Sequence, residues 1–324
     1  MNTFFRIRYL SALSAAMLGL LCQSAWANPE CIVAAKPGGG MDVSCKLRKK
    51  AIRAGGMTQE LALNYLPGGI GAVAWSSVVS HRRGGADSLV TFSGGSLLNL
   101  AQGKYGKAGI ADVRWVAAIG TDYGMIVVRK DSPYRNLREL FSAIQQDPSK
   151  VTIGASGTVG SQDWLKIALI ARYAKVDPKN FRFVALEGGG EAFTALQANY
   201  VQVVSGDASE AALYAPEGKF RVLAVLSDAR LPGVLADVPT AREQGFDVTW
   251  PLIRGFYMSP YASDADYKRW VGIFDKMMKS KEFEQQRQIS GLFPFAMTGS
   301  ELTEYIKKTV EHYKKQSQEL DLIR

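Results

Sequence analysis

Three short tracts rich in glycine, serine and threonine hold most of the chemical potential of this sequence. They are Lys36–Asp42 (Lys-Pro-Gly-Gly-Gly-Met-Asp), Ser93–Ser96 (Ser-Gly-Gly-Ser) and Ser156–Asp163 (Ser-Gly-Thr-Val-Gly-Ser-Gln-Asp). Each follows an apolar stretch that reads as a strand and opens a stretch that reads as a helix. Two further glycine turns, Glu187–Glu191 and Ser205–Asp207, follow apolar strands as well. Such turns let backbone N–H groups converge without an intervening Cβ. The helix that follows adds unpaired N–H groups and a partial positive charge, so that together they form an anion seat. Ser156, Thr158 and Ser161 add hydroxyl donors. The competing reading is that glycine at a strand–helix junction is ordinary turn chemistry. Several such loops in one chain favour the anion seat.

The anion is narrowed by what is missing. No Gly-Lys-Ser/Thr follows Gly38-Gly39-Gly40, so this is not a nucleotide P-loop. The glycines of Gly154–Gly160 are spaced by three and do not form the dinucleotide fingerprint. Carboxylates fit better. Enzyme signatures fail too: there is no G-x-S-x-G elbow, H-E-x-x-H, or S-x-x-K joined to K-T-G. With two histidines and three cysteines, a Cys/His zinc site has almost no material, and neither metal nor cofactor is expected. His81 and His312 read as solvated surface residues. Asp42 and Asp163, each in a first helical turn, read as helix-terminal carboxylates and not as acid–base catalysts. The charge runs Lys46–Lys50 and Lys307–Lys315 read as solvated helix faces. The formal charge of +9 steers anions, but no nucleic-acid module accompanies it.

The turns need elements to hold them, and the chain of 324 residues has room for one large domain or two of ordinary size. Residues 1–27 read as a cleaved secretory signal peptide: Arg6 and Arg8, an apolar Tyr9–Cys22, then Ala25-Trp26-Ala27. Cys22 follows Leu20-Leu21, which does not suit a lipobox. Export places Cys31 and Cys45 in an oxidising compartment, and they are read as a disulfide closing a loop of about fifteen residues. The alternative is two reduced, buried thiols. Strands are expected at Cys31–Ala35, Leu61–Leu66, Ser88–Phe92, Val113–Ile119, Met125–Val128, Val151–Ile153, Phe181–Leu186, Val201–Ser205 and Phe220–Leu226. Helices fall between them, with a helical end over Ala265–Ser280, Lys281–Ile289 and Ser300–Leu320. This alternation predicts an α/β fold with mostly parallel sheets. The turns fall into two groups, before about residue 125 and after about 150, as two facing lobes would place them.

An ordered set of motifs resembles the periplasmic solute receptors of tripartite tricarboxylate transporters, the Bug superfamily. It comprises Pro67-Gly68-Gly69-Ile70-Gly71-Ala72, Leu223–Ser227, Arg230-Leu231-Pro232 and Val238–Gly245. The TctC-type subgroup is suggested by Ala35–Gly40, Phe92–Leu100, Gly120–Ile126, Gly160–Trp164, Glu187–Glu191 and Trp250–Tyr257. The resemblance implies a two-lobed periplasmic-binding fold of the second type, with the ligand in the cleft between lobes and a two-segment β hinge. The first lobe would comprise 28–125 plus 241–324 and the second 126–240, hinged near Ile126–Arg129 and Val225–Ser227. It implies a non-enzymatic, monomeric receptor that hands a citrate-like tricarboxylate to integral-membrane permease subunits. Alternatives are another organic acid, dicarboxylate or aromatic, or presentation of ligand to a histidine-kinase sensor domain. Lys36, Gly38, Gly39, Gly40, Ser93, Gly94, Gly95 and Ser96 would line one wall. Ser156, Gly157, Thr158, Gly160, Ser161, Gly188, Gly189, Gly190 and Asp207 would line the other, with Tyr123 as a further ligand-binding residue. A trianion needs compensating charge, and Lys36 and Arg254 are the candidates, Arg254 for its two-pronged fork.

Overall fold

The computed structural model describes residues 29–56, 61–81, 87–319 and 321–323; the expected leader lies outside the described residues. The first part of the chain runs β1 (Glu30–Val33), α1 (Gly40–Ala51), β2 (Ala62–Tyr65), α2 (Ala72–Ser76), β3 (Ser88–Ser93) and α3 (Gly94–Ala101). A long strand β4 (Arg114–Arg129) and helix α4 (Leu137–Gln146) lead to β5 (Thr152–Ser156), α5 (Gln162–Tyr173), β6 (Arg182–Leu186) and α6 (Gly189–Gln197). Then come β7 (Val203–Asp207), α7 (Ala208–Tyr214), β8 (Phe220–Leu226) and β9 (Pro251–Met258). The end is α8 (Asp264–Met278), α9 (Lys281–Ile289), β10 (Met297–Thr298) and α10 (Gly299–Glu319). Side-chain caps mark several helix starts: Asn136 accepts from the Glu139 N–H, Ser263 from Asp266 and Ser280 from Phe283.

One strand belongs to two sheets. Residues Arg114–Tyr123 of β4 pair with β9, which continues through β3 and β1 to β2. From Gly124 onward β4 pairs instead with β7 and β8, and β7 continues through β5 to β6. The partner change falls at Tyr123–Gly124, a few residues ahead of the expected Ile126–Arg129. A second segment crosses beside it, where the Trp250 N–H donates to Leu226 O and the Gly124 N–H to Trp250 O. β9 and β10 thereby return the chain to the first sheet. The sequence pattern separates Val113–Ile119 from Met125–Val128, and the structure joins them. It also corrects the expectation of mostly parallel sheets. Among the described strands four pairings are parallel, whereas all four strands beside β4, and the β3–β9 pair, run antiparallel.

Alternate side chains of a strand face opposite sides of its sheet, and β4 uses both. Ile126 and Val128 join the main core, while Met125 and Val127 join a smaller one with Phe193, Leu196 and Val204. Cys31 in β1 is disulfide-bonded to Cys45 in α1, both fully buried, with Cα atoms 6.0 Å apart. That bond ties the helix bearing Gly40 to the first sheet. The solvated-face reading of Lys46–Lys50 fails at Arg48, which is fully buried. Its guanidinium lies 4.4 Å from the Trp270 ring centroid and beside Phe256 and Phe274. Among the described residues no hydrogen-bond partner reaches any of its three nitrogens. His312, as expected, is exposed on α10. Among the described residues no helix is long and apolar enough to cross a membrane.

Candidate functional site

The loops that leave β1, β3, β5 and β6 meet where the two sheets face each other. Gly39, Gly40, Ser93, Gln162, Gly188 and Gly189 all line one cavity there. Each is the cap or first residue of α1, α3, α5 or α6. Four helices from two sheets thus present their first-turn N–H groups and positive dipole ends to one space, which is the physical arrangement of an anion site. The space is tight, with a cavity volume of about 50 Å³. Small-ligand pockets usually offer about 300–1,000 Å³, several times more than this.

Several contacts hold the sides together. The Lys36 ammonium lies 3.2 Å from Glu191 Oε1. The Tyr214 hydroxyl donates to Gly38 O at 3.2 Å, and the Gly40 N–H to Glu210 Oε1 at 3.3 Å. The Gln102 amide donates to Gly160 O at 3.0 Å.

Beneath the helix ends lies a buried charge cluster. Arg254 Nε and Nη2 donate to Asp122 Oδ2 at 2.9 and 2.6 Å, and Nη2 also to Asp207 Oδ2 at 2.6 Å. Nη1 takes no part in these bonds. Lys166 bridges Asp163, at 2.6 Å, and Asp207. Asp122 is held further by the Ser209 hydroxyl at 2.6 Å. Burial opposes every charge here, and the outcome depends on the partners. Asp207 alone is shared by both cations, and they hold its carboxyl below the usual range against burial. Burial wins at Asp122 and Asp163, whose single cations only partly offset it. Lys166 and Arg254 are both raised: burial works against their charge, but the neighbouring carboxylates outweigh it. The Arg254 guanidinium fills the space over Gly40, where a Cβ would stand 2.1 Å from its carbon, so only glycine lets α1 start at this point.

Of the residues picked from sequence, Gly39, Gly40, Ser93, Ser156, Gly189, Asp207 and Arg254 line the cavity. The others do not line it. Lys36 is latched to Glu191 and half exposed. The Gly38 N–H donates to Asp42, and Gly190 packs on Pro37 O. Gly94 and Gly95 pack under Gln162, while Ser96 caps Ser93. Gly157 packs against Ile70, and Thr158 is exposed. Gly160 accepts from Gln102, and the Ser161 hydroxyl donates to Ser156 O. Tyr123 stacks edge-on against Phe293.

Gly188 of the expected second wall lines the cavity too, whereas Gln162, Asp163, Glu187 and Glu210 are lining residues that are not among the site residues picked from sequence. The signal for Glu210 is present as Asp207-Ala-Ser-Glu210, a capping box in which the Glu210 carboxylate accepts from the Asp207 N–H at 3.1 Å. The expected helix-terminal roles of Asp42 and Asp163 match their contacts with the Gly38 and Ser156 N–H groups.

Comparison with known proteins gives a consistent picture. The family model described as "Tripartite tricarboxylate transporter family receptor" matches residues 90–322. A UPF0065 protein encoded in the gbd 5′ region of Cupriavidus necator is 23% identical over 210 residues. That alignment takes in 63% of this chain and 61% of the relative, so the match spans less than two thirds of its length. MatC of Rhodopseudomonas palustris, solved with bound malate, superposes with a TM-score of 0.75 at 20% identity, covering 90% of this chain and 99% of MatC. A second R. palustris protein, solved with adipate, gives 0.79 at 17% identity, covering 91% and 97%. At these identities the two structures share the fold, a two-lobed α/β binding fold.

Proposed function

The chain belongs to the tripartite tricarboxylate transporter receptor family, and from that membership we propose that it captures one small carboxylate in the cleft described above. Proteins of this family are periplasmic solute-binding receptors that work with membrane transporter components. The observation that carries the reading is the convergence of four helix N-termini, two from each sheet, on a single cavity. We set the lobe boundaries where the chain changes sheets, at Tyr123–Gly124 and between Leu226 and Pro251, in place of the expected 125/126 and 240/241. Parting admits the ligand, and closure removes its water and completes its donors. The receptor then delivers the acid to the permease subunits.

A citrate-like trianion has limited support in the charges available. Lys36 is spent on Glu191, and Arg254 offers a ligand only Nη1. Asp163, Asp207 and Glu210 stand in the same wall. Backbone donors and one guanidinium nitrogen suit an acid with one or two carboxylates, of the kind that MatC and its adipate-bound relative were solved with. Calorimetric titration of refolded, ligand-stripped 28–324 with succinate, malate, adipate, citrate and tricarballylate tests this. The expected result is saturable binding of one dicarboxylate per chain, with the tricarboxylates weaker. Tighter binding of citrate and tricarballylate would restore the tricarboxylate assignment, and no binding from the whole panel would overturn the carboxylate reading.

A further inference from the structure

Four buried acids surround the cleft floor, and the two buried cations serve only three of them. Lys166 pairs with Asp163 and Asp207, and Arg254 with Asp122 and Asp207. Glu210, 3% exposed, has no ion-pair partner among the described residues. Its oxygens meet only backbone N–H groups: Oε2 that of Asp207 at 3.1 Å, and Oε1 that of Gly40 at 3.3 Å. Oε1 also lies against Gly189, at the point where α1 and α6 begin, and Glu210 lines the cavity. An ionised carboxylate here would be a buried charge beside two like charges with no cation of its own, a costly arrangement that protonation relieves.

We propose that Glu210 carries a proton in the closed cleft and donates its O–H to the ligand's carboxylate, making it a specificity-determining donor for an anion. The proposal rests on the carboxylate-receptor reading above. The proton sits on Oε1, whose contact with the Gly40 N–H is the longer at 3.3 Å, while Oε2 keeps the shorter bond from the Asp207 N–H at 3.1 Å. A neutral carboxyl facing a carboxylate makes a short, charge-assisted hydrogen bond, and the ligand's arrival frees the long Gly40 N–H contact to donate to the ligand as well. The proton thus converts a repelling wall into a donating one. The charged groups that act on Glu210 agree with this. Burial first, then Asp207 on β7 and Asp163 on α5, push its pKa up to about 8, against Arg254 on β9 and the Asp207 N–H. Tyr214, on the same helix, is itself pushed up to about 12 and stays neutral.

The sign follows. Below about pH 8 Glu210 is neutral and the anion binds; above it, Glu210 ionises beside the ligand and affinity falls by up to about tenfold per pH unit, the limit for one linked proton. The experiment is calorimetric titration with malate, adipate and citrate from pH 6.5 to 9.5 on the wild type and Glu210→Gln, which keeps a neutral donor. At pH 9 the wild type is also titrated in two buffers of different ionisation enthalpy. The expected result is a wild-type affinity that falls about tenfold between pH 8.5 and 9.5 with proton uptake on binding, and a flat profile for Glu210→Gln. A flat wild-type profile without proton uptake overturns the proposal, as does a parallel fall in Glu210→Gln. If the variant does not fold, the two-buffer measurement alone decides. Failure of these three, and of succinate and tricarballylate, to bind at pH 6.5 overturns the carboxylate reading and takes this proposal with it, whereas binding without pH dependence overturns only this proposal.

Discussion

Replacing Gly190 by alanine adds one methyl group at the point where the two sides of the cleft touch. Gly190 is the second residue of α6, and a Cβ built there stands 2.1 Å from Pro37 O and 3.2 Å from the Gly38 Cα. An ordinary contact would be 3.4 Å or more, and the obstacle is backbone, which cannot swing aside like a side chain. The loop after β1 and the start of α6 therefore have to separate. Separation breaks the half-exposed Lys36–Glu191 pair and the bonds from Tyr214 to Gly38 O and from Gly40 to Glu210. At about 1 kcal/mol per hydrogen bond and less for the exposed ion pair, closure weakens by about 2–3 kcal/mol. That corresponds to roughly 30- to 150-fold in affinity. Each side by itself is untouched, and alanine inside a helix is favoured over glycine by up to about 1 kcal/mol. Calorimetry with the best-binding acid of the panel, beside thermal melts without ligand, separates the two effects. The expected result is a large loss of affinity with a ligand-free melting temperature close to that of the wild type. Wild-type affinity in Gly190→Ala would refute the closed-cleft reasoning.

Two further substitutions probe the buried charges. Arg254→Met leaves Asp122 and Asp207 buried without their shared guanidinium, and the expected loss is about 3–5 kcal/mol of stability in urea unfolding. Unchanged stability with lost binding would show instead that Arg254 serves only the ligand. Arg48 is fully buried with no hydrogen bond among the described residues, and burial pulls its pKa down against the nearby Asp87. Arg48→Met forfeits about 2 kcal/mol of cation–π attraction but removes a desolvation penalty of several. A net gain of about 1–3 kcal/mol is expected in guanidinium unfolding, and a loss would show that the aromatic box more than compensates the charge.

The strand–turn–helix rhythm is enough to reach the α/β class, because each apolar run and each glycine turn is a local signal. What escapes is non-local. Gly120-Thr121-Asp122-Tyr123-Gly124 falls between two expected strands, yet it is the middle of β4. Asp122 is tolerated there because Arg254, 132 residues away in the chain, arrives on β9. β9 itself escapes the sequence reading as a strand, since Arg254-Gly255 interrupts its apolar run, and only the Asp122 and Asp207 partners make that arginine a buried residue. Arg48 takes its sequence reading from the charged neighbours of a basic run, whereas its position on the helix faces Trp270 and Phe274.

The site divides in the same way. Glycines and hydroxyls at helix starts are visible in sequence, and Gly39, Gly40, Ser93, Ser156 and Gly189 do line the cavity. Glu210 and Gln162 stand at helix starts that the sequence does signal, but as site residues they escape, because the same residues serve as ordinary helix-start groups in most proteins. Their aim into the cleft depends on how two sheets face each other. Lys36 shows the converse: a lone cation beside a glycine loop looks destined for an anion and instead meets Glu191.

The central claim is that one carboxylate is held at once by helix starts from both sheets. Amide nitrogen–proton NMR of ligand-stripped protein, titrated with the best-binding acid, tests it most directly. The Gly39, Gly40, Gly188 and Gly189 amides are expected to shift together along one saturable curve, with those of Ser93 and Gln162. Shifts confined to one sheet's loops, or centred elsewhere on the molecule, would contradict it.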